Sequence, residues 1–162
     1  MTAPLGSPAA EAIADIMGRE LGRMADQLRA YRDEEAIWAL DGAILNSAGT
    51  LAAHGAGNIL HFVGAVLGGT EYERDREAEF SGEWIPRTEL IRHLDEASRV
   101  VHAVIPGLTE DELEAPFPEL PDRYAGASTY WFLTHLTSHL SWHLGQVDYH
   151  RRIVGERGTP EV

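Results

Sequence analysis

Residues 129–154 contain no proline, and Leu133, Leu136, Leu140, Leu144 and Val147 recur at spacings of three and four. That is the period of a helix with one buried stripe. Ser128 or Thr129 is placed to cap it, and Gly155 to end it near Val154. The same stretch carries His135, His139, His143, Gln146 and His150. At roughly 100° per residue, four residues advance about 40° around the axis. The three histidines therefore climb one face, and Gln146 and His150 return to it. Imidazoles at i and i+4 are near enough to grip one metal ion.

A helix of this kind needs others to pack against, and the chain supplies three. Residues 9–32 carry Ile13, Ile16 or Met17, Leu21, Met24, Leu28 and Tyr31 as a stripe, with Arg19, Arg23, Asp26 and Arg29 available to face water. A second helix starts at Asn46 or Ser47, spans 47–67, and stops at Gly68-Gly69. It is apolar nearly all round, as a buried helix is, yet His54, Asn58 and His61 share one narrow face. Pro86 opens a third helix over 86–105, closed by Pro106-Gly107. No segment alternates with period two. The expectation is an all-α four-helix bundle forming a single domain over 1–162, with helices at about 9–32, 47–67, 86–105 and 128–154. A long irregular crossover, 108–125, holds Pro116, Pro118 and Pro121. Residues 70–84 alternate Glu and Asp with Arg74 and Arg76. They read as a solvated loop or short helix held by local ion pairs.

Charge narrows the function classes. The formal charge of −13 argues against nucleic acid and anionic membrane surfaces as partners, since both favour basic patches. There is no cysteine, so disulfides, thiolate ligands and an internal thiol nucleophile are excluded. Met1 to Ala10 lack the basic and apolar regions of a signal peptide, and no run of about 18 apolar residues is read, so nothing is expected to span a membrane. The reading is a cytoplasmic protein.

His93 and His102 read as hydrogen-bonded or part-exposed structural residues. Six histidines on two stripes are different. Packed together without metal, each buried nitrogen left unmet costs about 1–3 kcal/mol, and one divalent ion would satisfy three. The chain has no His-Glu-x-x-His, and no Glu is followed by His three residues later. A zincin protease and a carboxylate-bridged di-iron bundle are therefore set aside. An all-histidine site remains, and imidazole suits zinc, nickel, copper and iron alike.

The residues His139-x-x-x-His143-Leu144-Gly145-Gln146 on the last helix and Leu51-Ala52-Ala53-His54 on the second resemble the DinB-like superfamily. So do Gly57-Asn58, the segment Gly68-Gly69 through Arg74-Asp75-Arg76 to Glu79-Phe80, and Asp148-Tyr149-His150-Arg151-Arg152. The resemblance covers about 46–154. It implies a four-helix bundle in which one histidine of helix two and two of helix four bind a divalent metal, here His54, His139 and His143. Many members carry arginine after the last of these, where this chain has Leu144. Activities in the family are thiol-dependent, including bacillithiol S-transferases and the mycothiol-dependent maleylpyruvate isomerase.

Three protein ligands leave a metal open to a further group, as catalytic sites do. The sequence reading is thus a divalent-metal protein, with zinc or nickel first, acting as an S-transferase with an external low-molecular-weight thiol. Its small-molecule substrate is expected to be an uncharged or weakly polar electrophile. The alternative is a metal-binding, dimerisation or stress-related bundle protein without turnover. Asn58, His61, His135, Gln146 and His150 are expected to line the pocket or support the ligands. A homodimer is expected too, because Met17, Met24, Ile37 and Trp38 are more apolar surface than one narrow stripe needs.

Overall fold

The computed structural model describes residues 6–155, so the ends of the 1–162 span, including Met1–Leu5 of the stretch read for a signal, lie outside the described residues. Helix α1 (Pro8–Arg29) begins where the Ser7 hydroxyl accepts from the Ala9 amide and Pro8 occupies the first turn. It ends three residues before the expected 32, as the chain leaves through the short 3-10 turn Glu35–Trp38. Helix α2 (Ala48–Ile59) is capped by Ser47, whose Oγ accepts from Thr50 N at 3.1 Å. Without a break it widens into π-type turns over Leu60–Leu67, closed by a Gly68 N to Val63 O bond of 2.9 Å. Gly69 then turns the chain with φ +65°, a conformation that glycine adopts without strain.

Short helix α3 (Arg76–Glu79) follows, then α4 (Arg87–Val104), short α5 (Glu110–Glu114) and α6 (Thr129–His150), which ends in π-type turns over Arg151–Gly155. Among the described residues no strand forms, and the fold is an all-α bundle of the four long helices α1, α2, α4 and α6. Helices α1 and α2 each pack on α4 and α6 and touch one another little. They therefore stand diagonally opposed, and the 30–47 connection crosses one end of the bundle.

Met17, Leu21, Met24 and Leu28 of α1, Leu90, Leu94 and Val101 of α4, and Leu133, Leu136 and Leu140 of α6 meet Leu51, Ile59 and Val63 along the axis. Each such side chain contributes roughly 1.5–3 kcal/mol by leaving water. Met17, Met24 and Ile37 are fully buried in this core. Those three residues, assigned in the sequence reading to a dimer face, are covered by their own chain. The stretch Ala48–Leu67 is long and apolar enough to cross a membrane by length and composition, but 78% of its apolar 18-residue window is buried inside the bundle.

The crossover departs from the irregular segment expected. Thr109 and Glu112 form a capping box that starts α5, and Phe117 packs on Phe132 at a ring separation of 4.6 Å. Thr129 N donates to Ala115 O at 2.8 Å and Phe117 N to Ala127 O at 3.0 Å. These ties hold residues 115–128 against the start of α6, where Tyr124 becomes one wall of a cavity.

Candidate metal centre

His54 faces across the bundle interior toward α6. Its Nε2 lies 3.1 Å from His139 Nε2, and His143 Nε2 lies 3.0 Å from the same atom. The ligand atoms of the three residues all fall within 4.8 Å of one another. The i, i+4 register of α6 brings His139 and His143 together, with ring centroids 4.3 Å apart. The diagonal-free contact of α2 with α6 adds His54.

The outer ring nitrogens decide the tautomers. His54 Nδ1 is 2.9 Å from Glu79 Oε2, and an ionised carboxylate only accepts, so Nδ1 carries the hydrogen. His143 Nδ1 likewise donates to Gln146 Oε1 at 2.7 Å. Both Nε2 atoms are then bare lone pairs, and they converge on His139 Nε2. One N–H on His139 can serve only one of them. Three imidazole nitrogens, two pairs of them 3.0 and 3.1 Å apart and all within 4.8 Å, with two of the nitrogens lone-pair acceptors in these tautomers, form a group that could hold a cation. Two ligands each about 2.0–2.1 Å from one zinc ion stand about 3 Å apart or slightly more, which fits the separations here. Oriented outer nitrogens held by a carboxylate and an amide carbonyl complete the arrangement seen around metal-bound imidazoles.

Glu79 is the residue that the sequence reading placed in solvent. It is instead buried, with 8% of its surface exposed. Arg74 grips it with two bonds, Nε to Oε1 at 2.7 Å and Nη2 to Oε2 at 2.8 Å. Burial pushes the carboxyl pKa up, but the hydrogen bonds from Arg74 and His54 and the charge of Arg74 outweigh this and hold it below its ordinary value. Arg74 Nη2 also stands 3.3 Å from His54 Nδ1; both are donors, so the bonding partner of each is the carboxylate between them. Arg74 Nη1 donates to Asn58 Oδ1 at 3.2 Å. Gly57 makes this packing possible, because a Cβ there would overlap the Glu79 carboxylate. Asp75 caps α3 by accepting from Ala78 N at 2.9 Å and so aims Glu79 inward. The signal in the sequence was a buried histidine stripe that lacked a carboxylate of its own.

Beside the triad opens a cavity of about 350 Å3. His54 and His139 form one wall, Phe62, Phe132 and Leu136 the apolar floor, and Arg74, Arg76, Arg123 and Tyr124 the remaining side. His135 lines it as well, stacked on Trp131 at 5.4 Å and tilted against Tyr124 at 4.7 Å. Burial, with Arg123, lowers the His135 pKa. Burial also lowers that of His139, to about 4, with the neighbouring imidazoles adding to the effect. Desolvation does the same for His143 against the opposing bond to Gln146. The shifts of His135, His139 and His143 all favour the neutral ring.

The other expected pocket residues divide. Asn58 and Gln146 support the triad as described. His61 stands two turns along α2, edge-on to Phe62 and 3.5 Å from Glu119. His150 is buried elsewhere, taking a bond from the Tyr31 hydroxyl at Nδ1 (2.6 Å) and donating from Nε2 to Ala39 O (2.8 Å). Comparison with curated proteins and with solved structures gives no match. The model of the family described as "Protein of unknown function (DUF1572)" matches residues 13–158, and the chain belongs to that family.

Proposed function

We propose that this protein is a DinB-like divalent-metal protein, with His54, His139 and His143 as ligands and zinc or nickel as the metal, and that it acts as an S-transferase on an external low-molecular-weight thiol. The observation that carries the reading is the convergence of three imidazole nitrogens, two of them fixed as lone pairs by Glu79 and Gln146. A bound divalent ion at such a site acts as a Lewis acid that lowers the pKa of a coordinated thiol. The chain's own groups would do the rest. Glu79 and Gln146 keep the ligand rings aimed inward, so that little reorganisation accompanies binding. Phe62, Phe132 and Leu136 exclude water from one side of the cavity. His135, neutral and lining the same cavity, is placed to accept the proton that an incoming thiol releases. The absence of cysteine means that the nucleophilic sulfur comes from outside the chain. Two copies are expected to pair, on the strength of the family resemblance alone.

Elemental analysis of protein purified without a histidine tag should give one divalent ion per chain. The loaded protein should then conjugate a generic electrophile faster with one of glutathione, mycothiol or bacillithiol than with the others. A full equivalent of metal with no thiol-dependent rate would leave a binding protein without turnover. No metal at all would remove the whole reading.

A further inference from the structure

In a chain with 26 acidic residues, 13 arginines and no lysine, the cavity beside the triad is lined by three arginines and no Asp or Glu. That local inversion of sign is the feature that the proposed reaction leaves unexplained. Arg74 is neutralised by its two bonds to Glu79. Arg76 and Arg123 are not: among the described residues neither makes an ion pair. Each guanidinium instead rests on an aromatic ring, Arg76 over Phe80 at 5.0 Å and Arg123 over Tyr124 at 4.6 Å. A ring holds a guanidinium by its face and leaves the in-plane N–H groups free, which are the groups that bind an oxyanion in a forked manner.

We infer that this cavity binds a small molecule bearing a carboxylate or phosphate, held by Arg76 and Arg123, with its apolar part on Phe62 and Phe132. The inference rests on the proposed reading of the triad only in naming that cavity as the substrate site. It replaces the uncharged substrate expected from composition. The net charge of −13 is that of the whole chain, whereas the lining of this cavity carries three arginines and no carboxylate. An acidic exterior around a basic pocket also slows the approach of anions in bulk while holding those that enter, so binding should be selective rather than fast. The volume, about 350 Å3, is at the small end of ligand sites and suits a single ring or short chain.

The test uses three probes of one shape: benzoate, phenyl phosphate and the neutral benzamide. Each is titrated by calorimetry into metal-free and zinc-loaded full-length protein at low salt. Benzoate or phenyl phosphate should bind at least about tenfold more tightly than benzamide in the metal-free protein, where no metal can attract the anion. The preference between the two anions tells carboxylate from phosphoryl recognition. Arg123→Gln and Arg76→Gln should each weaken anion binding about tenfold, Arg123→Lys less, and none should change metal content. His143→Ala, which removes a triad member that does not line the cavity, should lose metal and keep anion binding, so the two readings fail separately. Equal binding of benzamide and both anions, or anion binding unaffected by both Gln variants, would overturn the inference even with the metal in place. Equal weakening by Arg123→Gln in a variant that has lost its fold is separated out by circular dichroism and by retained zinc.

Discussion

Two buried histidines, His54 and His150, differ in one atom's surroundings. Both are nearly inaccessible, and both have partners at each ring nitrogen. His150 spans unlike groups: the Tyr31 hydroxyl donates to Nδ1, and Nε2–H donates to the Ala39 carbonyl. Burial holds Tyr31 in its protonated form and lowers the pKa of His150, so this pair is a neutral, self-satisfied strut between α6, the end of α1 and the 30–47 connection. His54 has one such satisfied end, at Glu79. Its other end faces nitrogen atoms of its own kind. Burial does not distinguish a structural histidine from a ligand; the chemistry opposite its second nitrogen does.

The comparison breaks most sharply on metal content. His139→Ala should take the protein from one equivalent of metal to none, while its fold holds, since His139 is only partly buried. His150→Ala should do the reverse. It should keep the full equivalent but lose about 2–4 kcal/mol of stability, because the Tyr31 hydroxyl and Ala39 carbonyl are left unmet in the interior. Elemental analysis and denaturant unfolding of the two variants decide it. A His139→Ala protein that keeps its metal would make the triad a structural cluster, like His150.

Next comes the support of His54. Glu79→Gln keeps the shape but removes the charge that fixes the Nδ1–H tautomer, and metal affinity should fall by about 10–100-fold. Gly57→Ala should act in the same direction by displacing the carboxylate that a Cβ would overlap. Competition with a chromophoric chelator measures both. Unchanged affinity in both variants would show that Glu79 serves Arg74 and the local fold alone.

These residues also mark how far the sequence could be read. The four long helices, their caps and their apolar stripes were legible, because a 3.6-residue period and Ser, Pro or Gly at the ends are local signals. The face shared by His139 and His143 was legible for the same reason. Helix α5 was written in the sequence as Thr109-x-x-Glu112, a capping box masked by the prolines that follow. What local pattern could not give was the pairing of Glu79 with His54, 25 residues apart. Alternating Glu and Arg reads as a solvated surface, and only Gly57, by leaving room at α2, admits the carboxylate to the interior. The wall formed by Arg123 and Tyr124 was equally hidden. It depends on Phe117 and Tyr124 packing on Phe132, contacts between a proline-rich segment and a helix face.

The smallest expected effect is on stability against pH in the metal-free protein. His135, His139, His143 and His150 all have folded pKa values below the ordinary 6.5, and that of His139 falls to about 4. The unfolded chain therefore takes up protons that the folded chain refuses, and stability rises with pH across that window. Read downward, it is fully present above about pH 6.5 and is lost progressively toward pH 4. The depressed carboxyl of Glu79 acts in the same sense, but only below its ordinary value of 4.5. Unfolding midpoints between pH 7 and 5 thus isolate the histidines. The midpoint should fall over that interval, and less so in His139→Gln, which removes the most strongly shifted ring. His150, tied to a hydroxyl and a carbonyl, should contribute a smaller share than His139, which has only other imidazoles opposite its Nε2. A midpoint that stays constant from pH 7 to 5 would mean that the triad already holds a proton between its nitrogens in the folded state, and that the site is filled by a proton before any metal arrives.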